Sequence, residues 1–532
     1  MSILTTSSSN VWTAVDRNRQ QVAVAVGATT AVFVAAYALR SLIGSSKRAG
    51  PVLKEIPTPK QSYPYVGHLL SLGSMPGHKL TEWQKELGPI IQIKMGVQRW
   101  IIVDDPQIAH EIFVSNGAIG SGRPFGSYIY QVYAMGGKGI VFANPTKSWR
   151  NTRKAALTVL APKMVDSFND MIEYEADTLL ERLVSASKED GGINPFKTLQ
   201  LASLNVILST CFARRADSVD DPLFRDIVHY VDEHVGFAGL ENDLPSFLPI
   251  FHWLEKFGSQ ARNKKQKSDR LLETRNRLFR YLVQQARKTD QNCFVKTLDN
   301  IKAEHELDDD DIMVIMSDLV IAGTDTTSVT LAWLFVILVN HPHVQTQIQQ
   351  EIDTFKAQHE GRLPSFSEYT QMPYIMSVMK EGLRFRPPTS FGMAHVMEQD
   401  LVCRDYLIPK GTPVICNMHG IHLNPNVYSE PEKFIPERFM QNKSTMAALS
   451  NGKLEHRDQY NFGWGRRLCP GTYLSEVEMF AVLVRIFDKY NIEAGLDSNG
   501  KPQCPDMDKY VNAGIVVVPA PYKIRFTPRK QQ

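Results

Sequence analysis

The chain lacks the features that mark several protein classes. Its 532 residues include only six cysteines, which are scattered without a regular spacing. This usage indicates no disulfide framework and is typical of a reducing compartment. After residue 65 the sequence contains no Gly/Ser-rich linker, internal repeat or low-complexity tract. A formal net charge of +3, without a basic stripe that carries interleaved aromatic residues, argues against a nucleic-acid-binding protein.

One run near the N-terminus is uncharged and long enough to span a membrane. It covers residues 22–39, and Arg40, Lys47 and Arg48 follow it. A run of this length can cross the hydrocarbon core of a bilayer. The basic residues after it favour a cytosolic position for the rest of the chain, although two arginines also precede it. A cleaved signal peptide and a Ser-rich organellar transit peptide are the alternatives to a retained anchor.

The most informative segment is residues 462–471, Phe-Gly-Trp-Gly-Arg-Arg-Leu-Cys-Pro-Gly, a glycine-rich loop that contains Arg467 and Cys469. Finding this pattern by chance in a chain of this length has odds on the order of 10⁻⁴. A cysteine thiolate bound to a haem iron donates electron density and favours cleavage of an O–O bond. Gly465 and Gly471 are expected to adopt positive φ and to let the backbone approach a flat macrocycle. Arg467 can reach a haem propionate with its planar set of donors. The alternative is a buried structural cysteine beside a surface turn.

This segment closely resembles the cysteine-ligand loop of the haem-thiolate monooxygenases, the cytochrome P450 family. One departure is Trp464, because many relatives have a small residue at this position. The resemblance extends from about residue 55 to residue 528. Three further motifs follow in the order and at the spacing that the family has.

The first of these motifs is Glu381-Gly-Leu-Arg384, with Arg438 downstream. Glu381 and Arg384 share one helix face because they stand three residues apart. On its own, such a pair is mostly a solvated surface feature. The resemblance implies that Arg438 joins the pair in a buried triad on the cysteine side of the haem. There the triad would fix the segment before the ligand loop and perform no chemistry.

The second motif lies in an apolar stretch from about residue 312 to residue 339, which predicts one long helix. Four aspartates at 308–311 suit the positive end of the helix dipole, and Pro342 ends the helix. Residues 322–327 are mostly poor helix formers, so we expect a local opening beside the iron with room for O₂ and a water. The resemblance implies that Asp325 and Thr326 form an acid–alcohol pair that delivers protons for O–O cleavage. The alternative is a helix whose hydroxyls bond to its own carbonyls.

The third motif concerns the haem propionates. Trp149 and Arg153 stand at i and i+4, on one helix face, and resemble the family's haem-propionate helix. His395 matches the position of a further propionate partner. The alternative for His395 is an ordinary hydrogen-bonded loop residue.

The resemblance implies a mainly α fold with a small β region, in the α+β class, with an N-terminal transmembrane helix. Four segments are expected. They are a short luminal segment at 1–21, a transmembrane anchor at 22–44, a proline-rich hinge at 45–65 and a haem-binding monooxygenase domain at 66–532.

In function, the resemblance implies a monooxygenase that uses haem b to insert one oxygen atom of O₂ into a C–H bond. NADPH-cytochrome P450 reductase would supply the electrons, with cytochrome b5 as a second candidate donor. The enzyme would be a single-pass protein of the endoplasmic reticulum membrane with its catalytic domain in the cytosol. Two other classes stay open. A haem-thiolate isomerase or dehydratase uses no reductase, and a non-enzymatic haem sensor could use Cys469 and Cys504 as exchangeable ligands.

The substrate pocket is expected to draw on residues 125–142, 319–322, 389–393 and 512–515. These segments are apolar with few charges, so a neutral lipophilic substrate is expected. A steroid or terpenoid is favoured over a fatty acid or xenobiotic. Residues 244–253 are apolar and aromatic, and they are expected to form a second membrane contact or a buried loop.

The topology can be tested through glycosylation. Asn442-Lys443-Ser444 is the only Asn-x-Ser/Thr sequence without a proline at its middle position. Because the catalytic domain is predicted to face the cytosol, Asn442 should carry no glycan in a eukaryotic host. Trp12→Thr, which makes Asn10 an acceptor in the predicted luminal segment, should gain a glycan. The readout is the gel mobility of each protein with and without endoglycosidase. A glycan on Asn442 would refute the predicted orientation.

Overall fold

Helices are the main secondary structure in the computed structural model, which describes residues 53–124, 130, 132–188, 191–237, 244–251 and 259–529. In chain order they are α1 (Pro76–Leu87), α2 (Pro106–His110), α3 (Lys147–Val159), α4 (Pro162–Asp166), α5 (Asn169–Ala186), α6 (Phe196–Phe212), α7 (Pro222–Phe237), α8 (Leu244–Phe247), α9 (Ser259–Lys288), α10 (Phe294–Ile301), α11 (Asp309–Asn340), α12 (Pro342–Gln358), α13 (Pro373–Phe385), α14 (Met418–His422), α15 (Met446–Ser450) and α16 (Thr472–Lys489).

The strands are short and gather in small sheets. They are β1 (Ile90–Met95), β2 (Gln98–Val103), β3 (His395–Val396), β4 (Leu401–Cys403), β5 (Tyr406–Ile408), β6 (Pro413–Cys416), β7 (Tyr490–Leu496), β8 (Pro502–Gln503), β9 (Tyr510–Ala513), β10 (Val516–Pro519) and β11 (Ile524–Pro528). The largest sheet has the order β1-β2-β6-β3, in which β2 and β6 are parallel and the other pairs antiparallel. A three-stranded sheet has the order β11-β7-β8, and β4-β5 and β9-β10 pair as hairpins. The predicted mainly α fold with a small β region is therefore confirmed.

The chain separates into two units, Met1–Lys54 and Glu55–Gln532. The second unit contains all the helices and strands given above. The predicted luminal segment, the predicted anchor and the first part of the predicted hinge lie outside the described residues.

The central helix α11 has the start and the end that the sequence predicts. Asp308 caps it: its carboxylate accepts from the Asp311 N–H at 2.8 Å, and the Asp311 carboxylate accepts from the Asp308 N–H at 3.0 Å. The helix ends at Asn340, just before Pro342. Its 32 residues span about 48 Å at 1.5 Å per residue. Within the described ranges, α11 alone is long and apolar enough to cross a membrane. It is the core helix of the domain, because most of its residues are buried.

The expected local opening of α11 is wrong. The backbone stays helical from Asp309 to Asn340, including Gly323 and the threonines after it. The hydroxyls of Thr324, Thr326 and Thr330 each donate to the carbonyl oxygen four residues earlier, at 2.7, 2.8 and 2.8 Å. These bonds satisfy the threonine hydroxyls inside the helix. The low helix propensity of Gly323 and the threonines is outweighed by the burial of α11 in the core.

Helix α6 packs closely against the middle of α11. Almost all of α6 is buried, and Ile207 faces Gly323 of α11. A Cβ atom added at Gly323 would lie 2.6 Å from the Ile207 Cδ1 atom. A side chain at this position would therefore force the two helices apart. This close approach brings the polar residues of α6 against the face of α11 that carries Asp325.

Candidate active site

A cavity lies between α11 and the loop that carries Cys469. It offers about 340 Å³ to the centres of water-sized molecules. From α11 it is lined by Asp318, Leu319, Ala322, Gly323, Thr326, Thr327 and Thr330. From the cysteine loop it is lined by Phe462, Gly463, Trp464, Arg467, Cys469, Pro470 and Gly471. The remaining wall includes Phe113, Arg123, Val141, Arg153, Thr389, Phe391, Met393, His395, Cys416 and Ile515.

Cys469 is fixed at one wall of this cavity. Its N–H donates to the Phe462 carbonyl at 2.8 Å, which closes the loop just before α16 begins. The side chain is open to the cavity, while protein atoms surround it on its other sides. Burial raises the pKa of the Cys469 thiol, whereas hydrogen bonds from Gly471 and Thr472 and the charge of Arg153 lower it. The surrounding groups therefore favour the thiolate against the effect of burial.

Two glycines of the cysteine loop have the positive φ that favours glycine, but only one of them was expected. Gly465 has a φ of 52° and Gly463 a φ of 77°, whereas Gly471 has a φ of −88°. The expectation for Gly471 is therefore wrong, because that residue directly precedes α16 with negative φ. A Cβ atom at Gly465 would lie 2.1 Å from the Phe113 carbonyl oxygen. The absence of a side chain at Gly465 thus allows the turn of the cysteine loop and also the close contact of this loop with the segment Glu111–Ser115.

Three guanidinium groups converge on the cavity, those of Arg123, Arg153 and Arg467. Burial, together with the charge of Arg153, lowers the pKa of Arg123 to about 9. Burial, together with the charges of the neighbouring arginines, lowers the pKa of Arg467 to about 8. Among the described residues, no carboxylate lies within ion-pair distance of these three groups. The cluster therefore has the charge and the burial that suit an anionic ligand.

Backbone carbonyls hold these arginines in place. Arg467 donates to the carbonyls of Ser121 at 3.0 Å, Ile140 at 3.2 Å and Ala143 at 2.7 Å. Arg123 likewise donates to the carbonyls of Val141, Met393 and Ala394, at 2.8 to 3.3 Å. Arg153 donates to the carbonyl of Leu468, the residue before the cysteine.

Trp149 and His395 occupy different places around this cluster. The Trp149 indole donates to the Ile140 carbonyl at 3.1 Å, and the Arg467 guanidinium lies 4.0 Å from its ring centre. Trp149 therefore backs Arg467 and does not belong to the described cavity wall. His395 does line the cavity, and its Nδ1 lies 2.7 Å from the Gly120 carbonyl oxygen. If Nδ1 carries the proton, Nε2 of the neutral ring is an acceptor, and His395 can donate to an anion only as an imidazolium. Burial and the charge of Arg123 lower the pKa of His395, whereas a bound anion would oppose this effect.

Asp325 and Thr326 face different sides of α11. Thr326 lines the cavity, whereas Asp325 is absent from its described wall. The Asp325 carboxylate instead accepts a hydrogen bond from Gln200 of α6 at 2.8 Å. Burial raises the pKa of Asp325, and the Gln200 hydrogen bond opposes this effect. The predicted pair is thus adjacent in sequence but divided between the cavity and the α6 contact.

Glu381, Arg384 and Arg438 meet in one buried network. Arg384 donates to both carboxylate oxygens of Glu381, at 2.7 and 2.8 Å, and the side chains of both residues are fully buried. The Arg438 Nε lies 3.1 Å from a Glu381 oxygen. Arg384 also donates to the carbonyls of Pro431 and Lys433. The network therefore ties α13 to the segment that leads toward the cysteine loop.

The sequence profile of the Cytochrome P450 family matches residues 57–526, which is most of the chain. The chain belongs to the cytochrome P450 family. Its relatives include the Cytochrome P450 monooxygenase yanC of Aspergillus niger, at 27% identity over 90% of each chain. They also include the Steroid 17-alpha-hydroxylase/17,20 lyase of Squalus acanthias, at 28% identity over 94% of this chain and 97% of the relative. This membership makes the protein an oxidoreductase enzyme.

Solved structures agree with the cytochrome P450 fold. A zebra fish cytochrome P450 solved with progesterone superposes with a TM-score of 0.70 at 23% identity, over 85% of this chain and 99% of that chain. The zebra fish structure solved with abiraterone gives a TM-score of 0.69 at 23% identity, over 86% of this chain and 100% of that chain. At this identity the likeness concerns the fold alone.

The cavity of this cytochrome P450 fits the haem-thiolate group that the family implies. A haem presents an iron for one thiolate and two anionic propionates for cationic partners. Cys469 lies on the cavity wall, and the three guanidiniums on the same wall have no described carboxylate partner. A dianionic edge would offset their mutual repulsion in a site of low dielectric.

Sequence reasoning missed many residues of the cavity wall, and three of them bear on its chemistry. Arg123 belongs to the arginine cluster, but a single arginine in Gly-Arg-Pro shows no periodicity that would single it out. Cys416 of β6 also lines the cavity, and its Sγ accepts a hydrogen bond from the Trp464 indole at 3.2 Å. This contact gives the unusual Trp464 a structural partner. Asp318 lines the cavity as well, and it accepts from the Tyr133 hydroxyl at 2.7 Å.

Only some residues of the predicted pocket segments line the cavity. Leu319, Ala322, Thr389 and Met393 line the cavity, as does Ile515. Asn512 does not belong to the described wall, and its amide donates to the Ser74 carbonyl at 2.7 Å. Residues 125–129 and residue 131 of the first predicted segment lie outside the described residues.

Removing the carboxylate of the triad should strongly destabilise the protein. Glu381→Gln leaves two guanidiniums, one of them fully buried, without their anion. Breaking a buried ion pair in this way costs about 3–5 kcal/mol. The control is Glu493→Gln, which breaks a partly exposed pair with Arg525 and should cost less than about 1 kcal/mol. Urea unfolding of the holoproteins, followed by circular dichroism, measures both effects. Equal losses in the two variants would contradict the role given to the buried triad.

Proposed function

We propose that this cytochrome P450 is a haem b monooxygenase that inserts one oxygen atom of O₂ into a C–H bond of a lipophilic substrate. The observation that carries the proposal is the shared cavity of Cys469 and three guanidiniums, two of them buried, without a described carboxylate partner. In this proposal the Cys469 thiolate binds the iron. Arg123, Arg153, Arg467 and His395 hold the propionates, and Trp149 supports Arg467 from behind.

The bound haem would supply O₂ activation, which thiolate ligation favours. The protein has to keep Cys469 ionised and to deliver protons on the opposite side of the cavity. Burial raises the pKa of the Cys469 thiol, whereas the hydrogen bonds from Gly471 and Thr472 and the positive charge of Arg153 oppose this effect and so favour the first task. Thr326 faces the cavity from α11 and suits the second task. Its hydroxyl donates to the Ala322 carbonyl at 2.8 Å, so it would have to rotate away from this bond to donate into the cavity. Asp325 would take up protons on the α6 side and pass them to Thr326.

The rival functions receive less support from the same residues. An isomerase or dehydratase needs no proton delivery of this kind, whereas Asp325 is half-buried, bonded to Gln200 and adjacent to the cavity-lining Thr326. A haem sensor would use Cys504 as its second ligand. Cys504 is exposed, and it is not one of the described residues that line the cavity.

The substrate is proposed to be a steroid, with a terpenoid as the second choice. Leu319, Ala322, Phe391, Met393 and Ile515 give the cavity an apolar wall. A neutral, rigid and lipophilic molecule would suit such a wall. The steroid hydroxylase of Squalus acanthias supports the choice of a steroid over a fatty acid or xenobiotic.

The electron donor is proposed to be NADPH-cytochrome P450 reductase, with cytochrome b5 as a second donor. Arg150 and Lys154 of α3 are exposed, as is Arg466 of the cysteine loop. These cations would attract an acidic partner surface and speed its association. Lys147 is a weaker candidate because it pairs with Glu306 at 2.8 Å.

A single-pass location in the endoplasmic reticulum membrane is proposed, with the catalytic domain in the cytosol. An apolar surface near the start of the domain supports a second membrane contact. Ile250 is 59% exposed and Phe251 38%, and the Ile250 N–H donates to the hydroxyl of the exposed Tyr65 at 3.1 Å. Such residues favour the membrane interface. The remaining predicted contact residues, 252 and 253, lie outside the described chain.

Substitution of the proposed ligand tests the assignment of the haem. Cys469→Ser should lose the red-shifted Soret band that thiolate ligation gives to the reduced carbon monoxide complex. Cys416→Ala is the matched control, because Cys416 is the other cysteine of the described cavity wall. It should keep the band. A thiolate-type spectrum in Cys469→Ser would refute Cys469 as the ligand.

A second test separates oxygenation from oxygen reduction. Thr326→Ala should still consume NADPH but release hydrogen peroxide in place of product, because the hydroxyl no longer donates a proton for O–O cleavage. General acid–base assistance is typically worth about 10²–10⁴-fold, so the ratio of product to NADPH should fall steeply. Thr330→Ala, one turn further along the same wall, should keep the parent ratio. NADPH, peroxide and product are measured together, with a substrate that the parent protein hydroxylates. An unchanged ratio in Thr326→Ala would remove Thr326 from the mechanism.

A further inference from the structure

A bridge of two hydrogen bonds joins Asp325 to the protein surface. The Gln200 Nε2 atom donates to the Asp325 carboxylate at 2.8 Å, and the Lys197 Nζ atom donates to the Gln200 Oε1 atom at 2.9 Å. Gln200 is only 2% exposed, whereas Lys197 is exposed. Lys197 and Gln200 stand three residues apart on α6, so both lie on the helix face that meets α11. An amide therefore separates the ammonium from the carboxylate.

We propose that Gln200 is a positioning residue for Asp325, and that with Lys197 it conveys the charge of a surface ammonium to that carboxylate. This inference rests on the proposed role of Asp325 in proton delivery. Hydrogen bonds in series polarise one another, so the ammonium on Oε1 makes Nε2 a stronger donor. The same bond holds the carboxylate on the α6 side, about 100° around the helix from Thr326.

An amide bridge suits a proton donor better than a direct ion pair would. A cation in contact with an aspartate lowers its pKa by about 1–3 units and keeps it ionised at neutral pH. Here burial raises the pKa of Asp325, and the Gln200 hydrogen bond lowers it. Of the charged groups that face it, Asp232 of α7 raises the pKa and Lys197 of α6 lowers it. A general acid is most effective when its pKa lies near the working pH. The Gln200 amide lowers the pKa of Asp325 by less than burial raises it, so the pKa stays above its ordinary value.

The pKa of Asp325 can be measured without turnover. In infrared difference spectra of the holoprotein across pH, the carboxyl C=O band that disappears in Asp325→Asn belongs to Asp325. Gln200→Leu removes the hydrogen bond at similar volume, so the midpoint of this band should rise by about one pH unit, a tenfold change in the protonation equilibrium. Lys197→Met should raise it by less. Lys453→Met, which removes an exposed lysine from a loop before the cysteine segment, should leave it unchanged.

Turnover should follow the same direction. Asp325 delivers a proton only when it is protonated, and the protonated fraction falls as the pH rises through the pKa. A higher pKa therefore moves the alkaline fall in the ratio of product to NADPH to higher pH in Gln200→Leu. In the Asp325→Asn background, Gln200→Leu should have no further effect on this profile.

The outcomes distinguish the bridge from a packing role and from the proposed function. An unchanged infrared midpoint in both Gln200→Leu and Lys197→Met would overturn the inference. A second result would also overturn the inference. If Gln200→Leu lowers thermal stability equally in the parent protein and in Asp325→Asn, and the infrared midpoint of the parent does not shift, Gln200 has only a packing role. Lys197 is exposed, so its variant gives an answer even if Gln200→Leu does not fold. If Asp325→Asn keeps the parent product ratio, the proton-delivery role of Asp325 fails, whatever the midpoints are.

Discussion

The carboxylate of Glu381 is the interaction on which the cysteine side of the molecule depends. It is fully buried, and it pairs with both Arg384 and Arg438 while it accepts a hydrogen bond from the Ile435 N–H at 2.8 Å. One anion thereby joins α13 to an irregular segment that consists of turns and the short 3-10 helix Pro436–Phe439. Isolated buried ion pairs add little stability, but they require a defined geometry. That requirement matters here, because the irregular segment leads to the loop that carries Cys469.

Helix α11 forms the cavity wall opposite the cysteine loop. It contains the residues proposed for proton delivery and keeps a regular backbone, because its threonine hydroxyls bond within the helix. Neighbouring residues on a helix point about 100° apart, so one helix can serve two environments at once. Thr326 faces the apolar cavity, and Asp325 faces the polar side chains of α6. In the proposed mechanism, the core helix thus separates the cavity that would bind substrate from the side on which protons would enter.

How far the sequence predicts this protein depends on how local each feature is. The cysteine loop, the cap at Asp308 and the length of α11 follow from residues that are close in sequence. Arg123 could not be predicted, because its role arises only when distant loops bring it beside Arg467. The contact between Gln200 and Asp325 joins residues 125 positions apart and leaves no pattern in the chain. The expected opening of α11 failed for a related reason, since propensity is a weak guide inside a buried helix.

The arginine cluster has a consequence for the life of the chain in a cell. Without a bound anion, three like charges stay close together in a buried site, and the haem-free form is less stable than its packing alone would allow. A ligand that binds only the folded state shifts the folding equilibrium by mass action. Protein quality control removes chains in proportion to the fraction that is unfolded. The steady-state amount of this enzyme would therefore track the supply of haem, so that iron limitation lowers its abundance as well as its activity.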